Sequence, residues 1–370
     1  MAAANVADAK GLTFACKPGC GFCCTASPLV LEHERSATFP MLVRADDGTH
    51  HIPLAGVACS ALQADRRCGV YETRPSVCHL YPYSVHAGRR IQVTVSLACP
   101  GIEQWHPLSG PVGPFGADAS AEEGAARAVE LALAQPGAQQ GAARAKETFA
   151  EYDRRMKEWG VAATPDRLRA GFLPHLATIA QPANLPAFFA GLETGELVLA
   201  GDAARAVGAL FDEEPEADLL DLFRQGATDA FDEPETVIWV EPDLTWTRAK
   251  AEGERVKLVR AREEEIAIED VPADWDEGAI HVLQAYLTRL AHRDHLEAAS
   301  AWLVDASGYQ VTPAAAFGRV VGEAALQVAL RAGLLARAEA RDVIDIAYAR
   351  RGVMAYETAF HSLPTLGAIL

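Results

Sequence analysis

A chain of 370 residues, half of them hydrophobic, is long enough for two domains or one with a large extension, and its composition rules out a disordered protein. Its formal net charge of −17 opposes general affinity for nucleic acid or an anionic membrane, so neither is expected as a partner. The N-terminus lacks a basic start followed by an apolar run. The most apolar later stretches, Leu197–Leu210 and Ala314–Leu335, are interrupted by Asp202, Arg205, Arg319, Glu323 and Arg331. A soluble, cytoplasmic protein is expected.

After a frayed lead-in over residues 1–12, four thiols fall within nine residues in Cys16-Lys-Pro-Gly-Cys20-Gly-Phe-Cys23-Cys24. Four more follow at Cys59, Cys68, Cys78 and Cys99, and the remainder of the chain has none. Gly and Pro between the thiols let the chain turn back and aim several sulfurs at one point. In a reducing compartment such a cluster points to metal binding or redox chemistry rather than disulfides. Four thiolates complete a zinc or an iron–sulfur site, so eight suffice for two. Read as extended backbone, the adjacent Cys23 and Cys24 point to opposite sides and serve different centres, or one serves the core. His33, His50, His51, His79 and His86 share the region; singly, each reads as a surface or packing histidine.

Pro28-Leu-Val-Leu reads as a short strand or helix entry, Glu32–Phe39 as a short helix, Asp46-Asp-Gly-Thr-His as a turn, and His51-Ile-Pro-Leu as an extended piece. A tight turn joins Cys59 to Cys68, Gly69-Val-Tyr is strand-like, and Pro75 opens a helical turn that delivers Cys78. Arg90–Leu97 alternates as a strand and leads to Cys99.

Beyond a Pro/Gly-rich linker at 102–118 the spacing is helical. Phe149, Tyr152, Met156 and Trp159 form one apolar stripe on a helix ended by Gly160, read as core. Thr164-Pro165 caps the next helix, with Asp166 in its first turn and Pro174 at its break. Helices are expected at Leu197–Leu210 and Leu219–Gln225, with a solvated acidic turn from Asp212 between them. The period changes to two between Thr236 and Glu269, in runs at Val237, Leu244 and Arg255, with Ala251-Glu-Gly-Glu as a hairpin loop. This predicts a small β-meander whose apolar face Trp239 and Trp246 cover. From Asp274 the chain is helical, with a break at Ser307-Gly308 and a cap at Thr312-Pro313. His292 and His295, with Arg293 and Asp294 between them, read as solvated surface.

The fold class expected is α+β: a small, loop-rich cysteine-cluster metal domain (1–101), the linker (102–118), and a mostly α-helical region (119–370) with a small antiparallel sheet at about 236–269.

Cys16-x3-Cys20-x2-Cys23-Cys24, followed by Cys59-x8-Cys68-x-Val70-Tyr71-x2-Arg74-Pro75-x2-Cys78-x2-Tyr81-Pro82, resembles the cysteine-cluster family of zinc- or iron-chelating domains. That family also includes flagellin lysine N-methylases. The resemblance covers residues 14–101, about a quarter of the chain; His79 stands where the family usually has Arg. It implies metal ligation by Cys16, Cys20, Cys23, Cys24, Cys59, Cys68, Cys78 and Cys99. Tyr71, Arg74, His79 and Tyr81 are candidates to surround the ligands, with framework packing as the alternative reading.

Three further functional readings stand beside plain metal binding. One is a protein lysine N-methylase using S-adenosylmethionine on a protein substrate, although residues 102–370 lack the usual glycine-rich nucleotide-binding fingerprint. Another follows from Cys16-x3-Cys20-x2-Cys23, the spacing of radical S-adenosylmethionine enzymes, without the βα alternation they require. The last is a structural zinc module that serves as a docking surface.

Overall fold

The computed structural model describes residues 12–14, 22–25, 29–30, 42–44, 50–55, 58–64, 67–75, 78, 80–99, 101–103, 119–134, 137–160, 164–194, 211, 214–231, 236–240, 246–259, 263–360 and 364–369. The expected helices at Glu32–Phe39 and Leu197–Leu210, the turn at Asp46, most of the 102–118 linker and the side chains of Trp239 and Trp246 lie outside them.

In the N-terminal part, strands are short and paired locally. β1 (Thr13–Phe14), β2 (Leu29–Val30), β3 (Val43–Arg44), β4 (His50–His51), β5 (Leu54–Ala55) and β6 (Ala58–Cys59) are two residues each. β2 and β3 flank β4, and β5 pairs with β6, all antiparallel. The stretch after Cys68 departs from expectation: Tyr71–Thr73 is a 3₁₀ turn rather than a strand.

The first longer element is the hairpin of β7 (Tyr83–Ala87) and β8 (Ile91–Val95), in register from Tyr83 opposite Val95 to Ala87 opposite Ile91. Val85, Val93 and Val95 are buried, and helix α1 (Ala121–Leu133) lies across the hairpin; β9 (Ile102–Glu103) and β10 (Ala119–Ser120) flank β1 in a separate sheet. Val85, Val93, Val95 and Leu97 share one continuous core with the helices that follow.

α2 (Ala138–Glu158) carries the expected stripe, with Phe149, Tyr152 and Met156 buried. Trp159 departs from it: 54% of it is exposed, its ring edge-on to Tyr309 at 4.7 Å. The helix has already ended there, and Gly160 follows at φ 71°. α3 (Pro165–Phe172) begins where Thr164 Oγ1 accepts from the Arg167 N–H, as the Thr-Pro pair predicts, and Pro174 falls in a 3₁₀ turn at its end. α4 (Leu176–Ile179), α5 (Leu185–Thr194) and α6 (Leu219–Phe231) follow; the last runs beyond the expected end at Gln225.

The meander is present as β11 (Thr236–Val240), β12 (Trp246–Glu252), β13 (Arg255–Val259) and β14 (Glu263–Ala267), paired antiparallel in sequence order. Gly253 turns the β12–β13 hairpin at φ 63°, a conformation glycine adopts without Cβ strain. Val256, Leu258 and Ile266 are buried on one face. β14 is the strand that went unnamed in sequence, because its Glu263-Glu-Glu start masks the alternation.

α7 (Glu277–Ala291) is capped by Asp276, whose Oδ1 accepts from the Ala279 N–H at 2.7 Å. α8 (Asp294–Ala306), α9 (Pro313–Arg337) and α10 (Ile346–Phe360) complete the helical body, and β15 (Ala368–Ile369) pairs with β7. α9 is apolar nearly all round and packs against α5, α6, α7, α8 and α10. The molecule is thus α+β, mostly helical with small antiparallel sheets.

Candidate metal centre

Cys23 and Cys24 sit in a single 3₁₀ turn, Phe22–Thr25, rather than in extended backbone. Cys23 is exposed, while Cys24 is buried against Ile52 and Cys59. The tight turn lets the two thiols hydrogen-bond to each other, which alternating strand side chains could not do.

Cys59 ends β6 opposite Leu54. The chain then folds back as the sequence predicts: Leu62 bridges Cys68, the Leu62 N–H donates to Cys59 O at 2.9 Å, and the Gln63 N–H donates to Arg67 O at 2.9 Å. Gly69 closes this loop. Its N–H donates to Ala61 O at 2.8 Å, and a Cβ there would stand 3.1 Å from that oxygen. The Tyr71 N–H reaches Cys68 O at 3.3 Å, and the Cys78 N–H reaches Pro75 O at 2.9 Å, the turn expected to deliver Cys78. Between them the Arg74 guanidinium lies over the Tyr71 ring, 4.3 Å from its centre.

The thiols act on one another electrostatically. Cys23 is lowered to about 7, chiefly because the Cys24 thiol donates to its sulfur; burial opposes this and the Arg74 charge assists. Cys24 is pushed far up by the same hydrogen bond, then by burial and by the charges of Cys23, Cys59 and Cys68. Burial raises Cys59, with Cys68 and Cys23 adding to it. Burial likewise raises Cys78 to about 12, helped by Cys23, Cys59 and Cys68 and opposed by Arg74. Five of the eight cysteines therefore share one neighbourhood. Among the described residues, no three Cys, His or acidic side chains converge closely enough to hold an ion. Cys16, Cys20, His33 and His79 lie outside the described residues.

Cys99 is packed in the main core beside Tyr83, whose hydroxyl is raised to about 12 by burial and then by the Cys99 charge. Tyr81 packs against that same core, while Tyr71 is 48% exposed. His50 and His51 in β4 pair with Val30 and Leu29 of β2, and His86 is buried in β7.

The donor set suits a thiophilic cation. Burial and neighbouring thiolate charge hold Cys59 and Cys78 protonated, and Cys24 is held so by Cys23 and burial; a bound Zn²⁺ or iron centre would reverse these proton affinities by supplying the missing positive charge. The arrangement defines a thiol-rich segment as the class. More specifically, residues 15–100 match the family model CxxCxxCC, described as “Putative zinc- or iron-chelating domain”, which is the family that the cysteine spacing resembles. No curated protein and no solved structure matches the chain.

A second set of charged residues lies outside the cysteine segment, and His292 alone of its histidine pair is exposed as expected. His295 and Arg293 are buried, not solvated. They flank the sharp junction between α7 and α8, where Arg293 forms a fully buried ion pair with Glu357 at 2.7 Å. The partners lie too far apart in sequence for local spacing to reveal them.

Proposed function

We propose that the cysteine segment binds zinc or an iron–sulfur cluster through thiolates drawn from Cys16, Cys20, Cys23, Cys24, Cys59, Cys68, Cys78 and Cys99. The observation that carries this reading is the gathering of Cys23, Cys24, Cys59, Cys68 and Cys78 in one neighbourhood within the stretch 15–100 that matches the chelating-domain model. Zinc would supply a structural cross-link or a Lewis acid, and an iron–sulfur cluster would supply electron transfer. Within the chain, the Cys24 thiol stabilises the Cys23 thiolate, and Arg74, held on Tyr71, offsets thiolate charge from outside the sulfur shell. Tyr71, Arg74, His79 and Tyr81 are assigned to positioning rather than ligation.

The chelating unit is taken to end near residue 101, with the body from residue 119 available for a partner or a protein substrate. A reducing, cytoplasmic setting suits thiols kept for metal. The S-adenosylmethionine-dependent methylase reading rests on the family resemblance alone.

The test is elemental analysis and visible absorption of protein purified without oxygen, alongside Cys23→Ser and Cys78→Ser. Each variant should lose metal. Iron with acid-labile sulfide and broad visible absorption identifies a cluster; colourless protein with zinc identifies the structural alternative. Metal-free wild-type protein, or variants with unchanged metal content, would overturn the proposal.

A further inference from the structure

A cleft of about 190 Å³ opens where the β7–β8 turn meets α2, α3 and α8. No cysteine lines it, so it is independent of the metal centre. Its walls alternate in charge. Arg90 grips Asp294 through Nε at 2.5 Å and Nη2 at 2.9 Å, and Arg169 reaches the same carboxylate from the other side at 2.9 Å. Arg89 pairs with Glu297 deeper in and with Asp153 outside. Three guanidinia, of Arg89, Arg90 and Arg169, thus face three carboxylates, of Asp166, Asp294 and Glu297, around one opening.

We propose that this cleft binds a small zwitterion of the amino-acid class, one carboxylate and one ammonium group on a short carbon frame. A purely anionic ligand would meet three carboxylates, and a purely cationic one three guanidinia; a molecule with both charges can exchange into the alternating pairs without leaving either sign unmatched. The cleft, about 190 Å³ and open on one side, has room for the charged head of a small amino acid.

The site is built, not incidental. Arg169 and Glu297 are almost fully buried, at 9% and 8% side-chain exposure, yet both line the cleft. Arg169 is fixed by donating to Ala291 O at 3.0 Å and to His292 O at 3.5 Å. Phe149 supplies an apolar wall, with the Arg89 guanidinium 4.6 Å above its ring. Gly88 keeps the turn pressed against that wall, since a Cβ there would come within 2.9 Å of Phe149 Cε2. Arg90, 48% exposed at the rim, is the guanidinium able to swing from Asp294 to an incoming carboxylate. The two carboxylates on α8 are also displaced in opposite senses, Glu297 upward by burial and Asp294 downward by its two arginines against the opposing effect of burial. Opposed environments of this kind are characteristic of ligand and active sites.

The test is calorimetric titration of the intact protein with the standard amino acids, and with propionate and propylamine as singly charged controls. At least one small amino acid should bind, with both controls about tenfold weaker or more, and Arg90→Gln should weaken that amino acid by about tenfold. The melting transition without ligand confirms that the variant is folded. The proposal fails if no amino acid gives heat at about 10 mM, if propionate or propylamine binds as tightly as the zwitterion, or if Arg90→Gln leaves the affinity unchanged.

Discussion

The cysteine segment and the helical body bury their side chains by different means. Around the thiols, strands are two residues long and the local cluster consists of Cys24, Ile52 and Cys59, with Leu42, Ala61, Leu62 and Val70 half-buried around it. In the body, α9 alone runs for 25 residues and is buried along nearly its whole length among neighbouring helices, α5, α6, α7, α8 and α10 included. Apolar burial stabilises at about 25 cal/mol per Å², which favours the body, whereas among the described residues around the thiols only Cys24, Ile52 and Cys59 are buried in the local cluster, set against the entropy of ordering the loops. What burial does not supply there, metal–thiolate bonds can.

The largest effect should come from stripping metal. In metal-free protein, amide hydrogens of β5, β6 and the Leu62–Cys68 turn should exchange nearly as fast as in an unfolded chain, while those of α9 and α10 keep their protection. Equal protection of the cysteine segment with and without metal, measured by hydrogen exchange, would erase the contrast.

The next effect probes how the regions are joined. Glu357 on α10 is fully buried and accepts from the Tyr286 hydroxyl at 2.6 Å, Arg293 Nη1 at 2.7 Å and the Leu97 N–H at 3.0 Å; Arg293 Nη2 donates to Val95 O at 3.0 Å. The strand that leads to Cys99 is thereby held by an ion pair seated in the helices. Glu357→Ala leaves Arg293 buried without its counter-ion and should cost about 3–5 kcal/mol in denaturant unfolding. A loss under about 1 kcal/mol would mean that the guanidinium finds water or another acceptor.

The contrast also explains what was legible in the sequence. Local devices were: the Thr164-Pro165 and Thr312-Pro313 caps, the Gly253 turn, the α2 stripe through Met156, and the Cys59–Cys68 turn all rest on residues within a few positions of one another. Cysteine spacing likewise exposed the thiol cluster and the family model that residues 15–100 match, because that spacing is itself local. Long-range pairings were not. His292-Arg-Asp-His295 looks solvated by composition, and His292 is exposed as expected, yet Arg293 and His295 are buried and Asp294 half-buried, with Glu357, Arg90, Arg169 and Gln92 reaching the run from 64 to 204 positions away. Trp159 failed in the opposite sense, because periodicity continues past the residue at which the helix ends.

Within the body, close packing is tested at Gly352, where α10 crosses α9. A Cβ there would stand 2.6 Å from Val328 O and 2.8 Å from Ala332 Cβ, both on the neighbouring helix. Gly352→Val should therefore destabilise by about 1–3 kcal/mol. The metal content should not change, since the crossing lies outside the cysteine segment. Loss of metal in a variant that remains folded would show that the two regions are coupled more tightly than their cores suggest.

The smallest effect, and the one with a sign to resolve, is acidification of the clamp between the hairpin and α8. Burial opposes ionisation of Asp294, but Arg90 and Arg169 outweigh it and hold the carboxyl below its usual range. Its contribution is therefore complete above the ordinary aspartate value of about 3.9 and is lost as pH falls through the lowered folded value. Glu297 behaves oppositely. Burial raises it despite Arg89, so the folded state takes up its proton more readily than the unfolded chain does, and falling pH through that interval adds stability. On lowering the pH from neutral, the melting temperature should first be supported by Glu297 and then fall as Asp294 protonates. Glu297→Gln should remove the first phase and Asp294→Asn the second. If the melting curves of both variants ran parallel to wild type throughout, the two carboxylates would be titrating as ordinary surface groups, and the buried join between hairpin and helices would owe its strength to the Arg293–Glu357 pair and apolar packing.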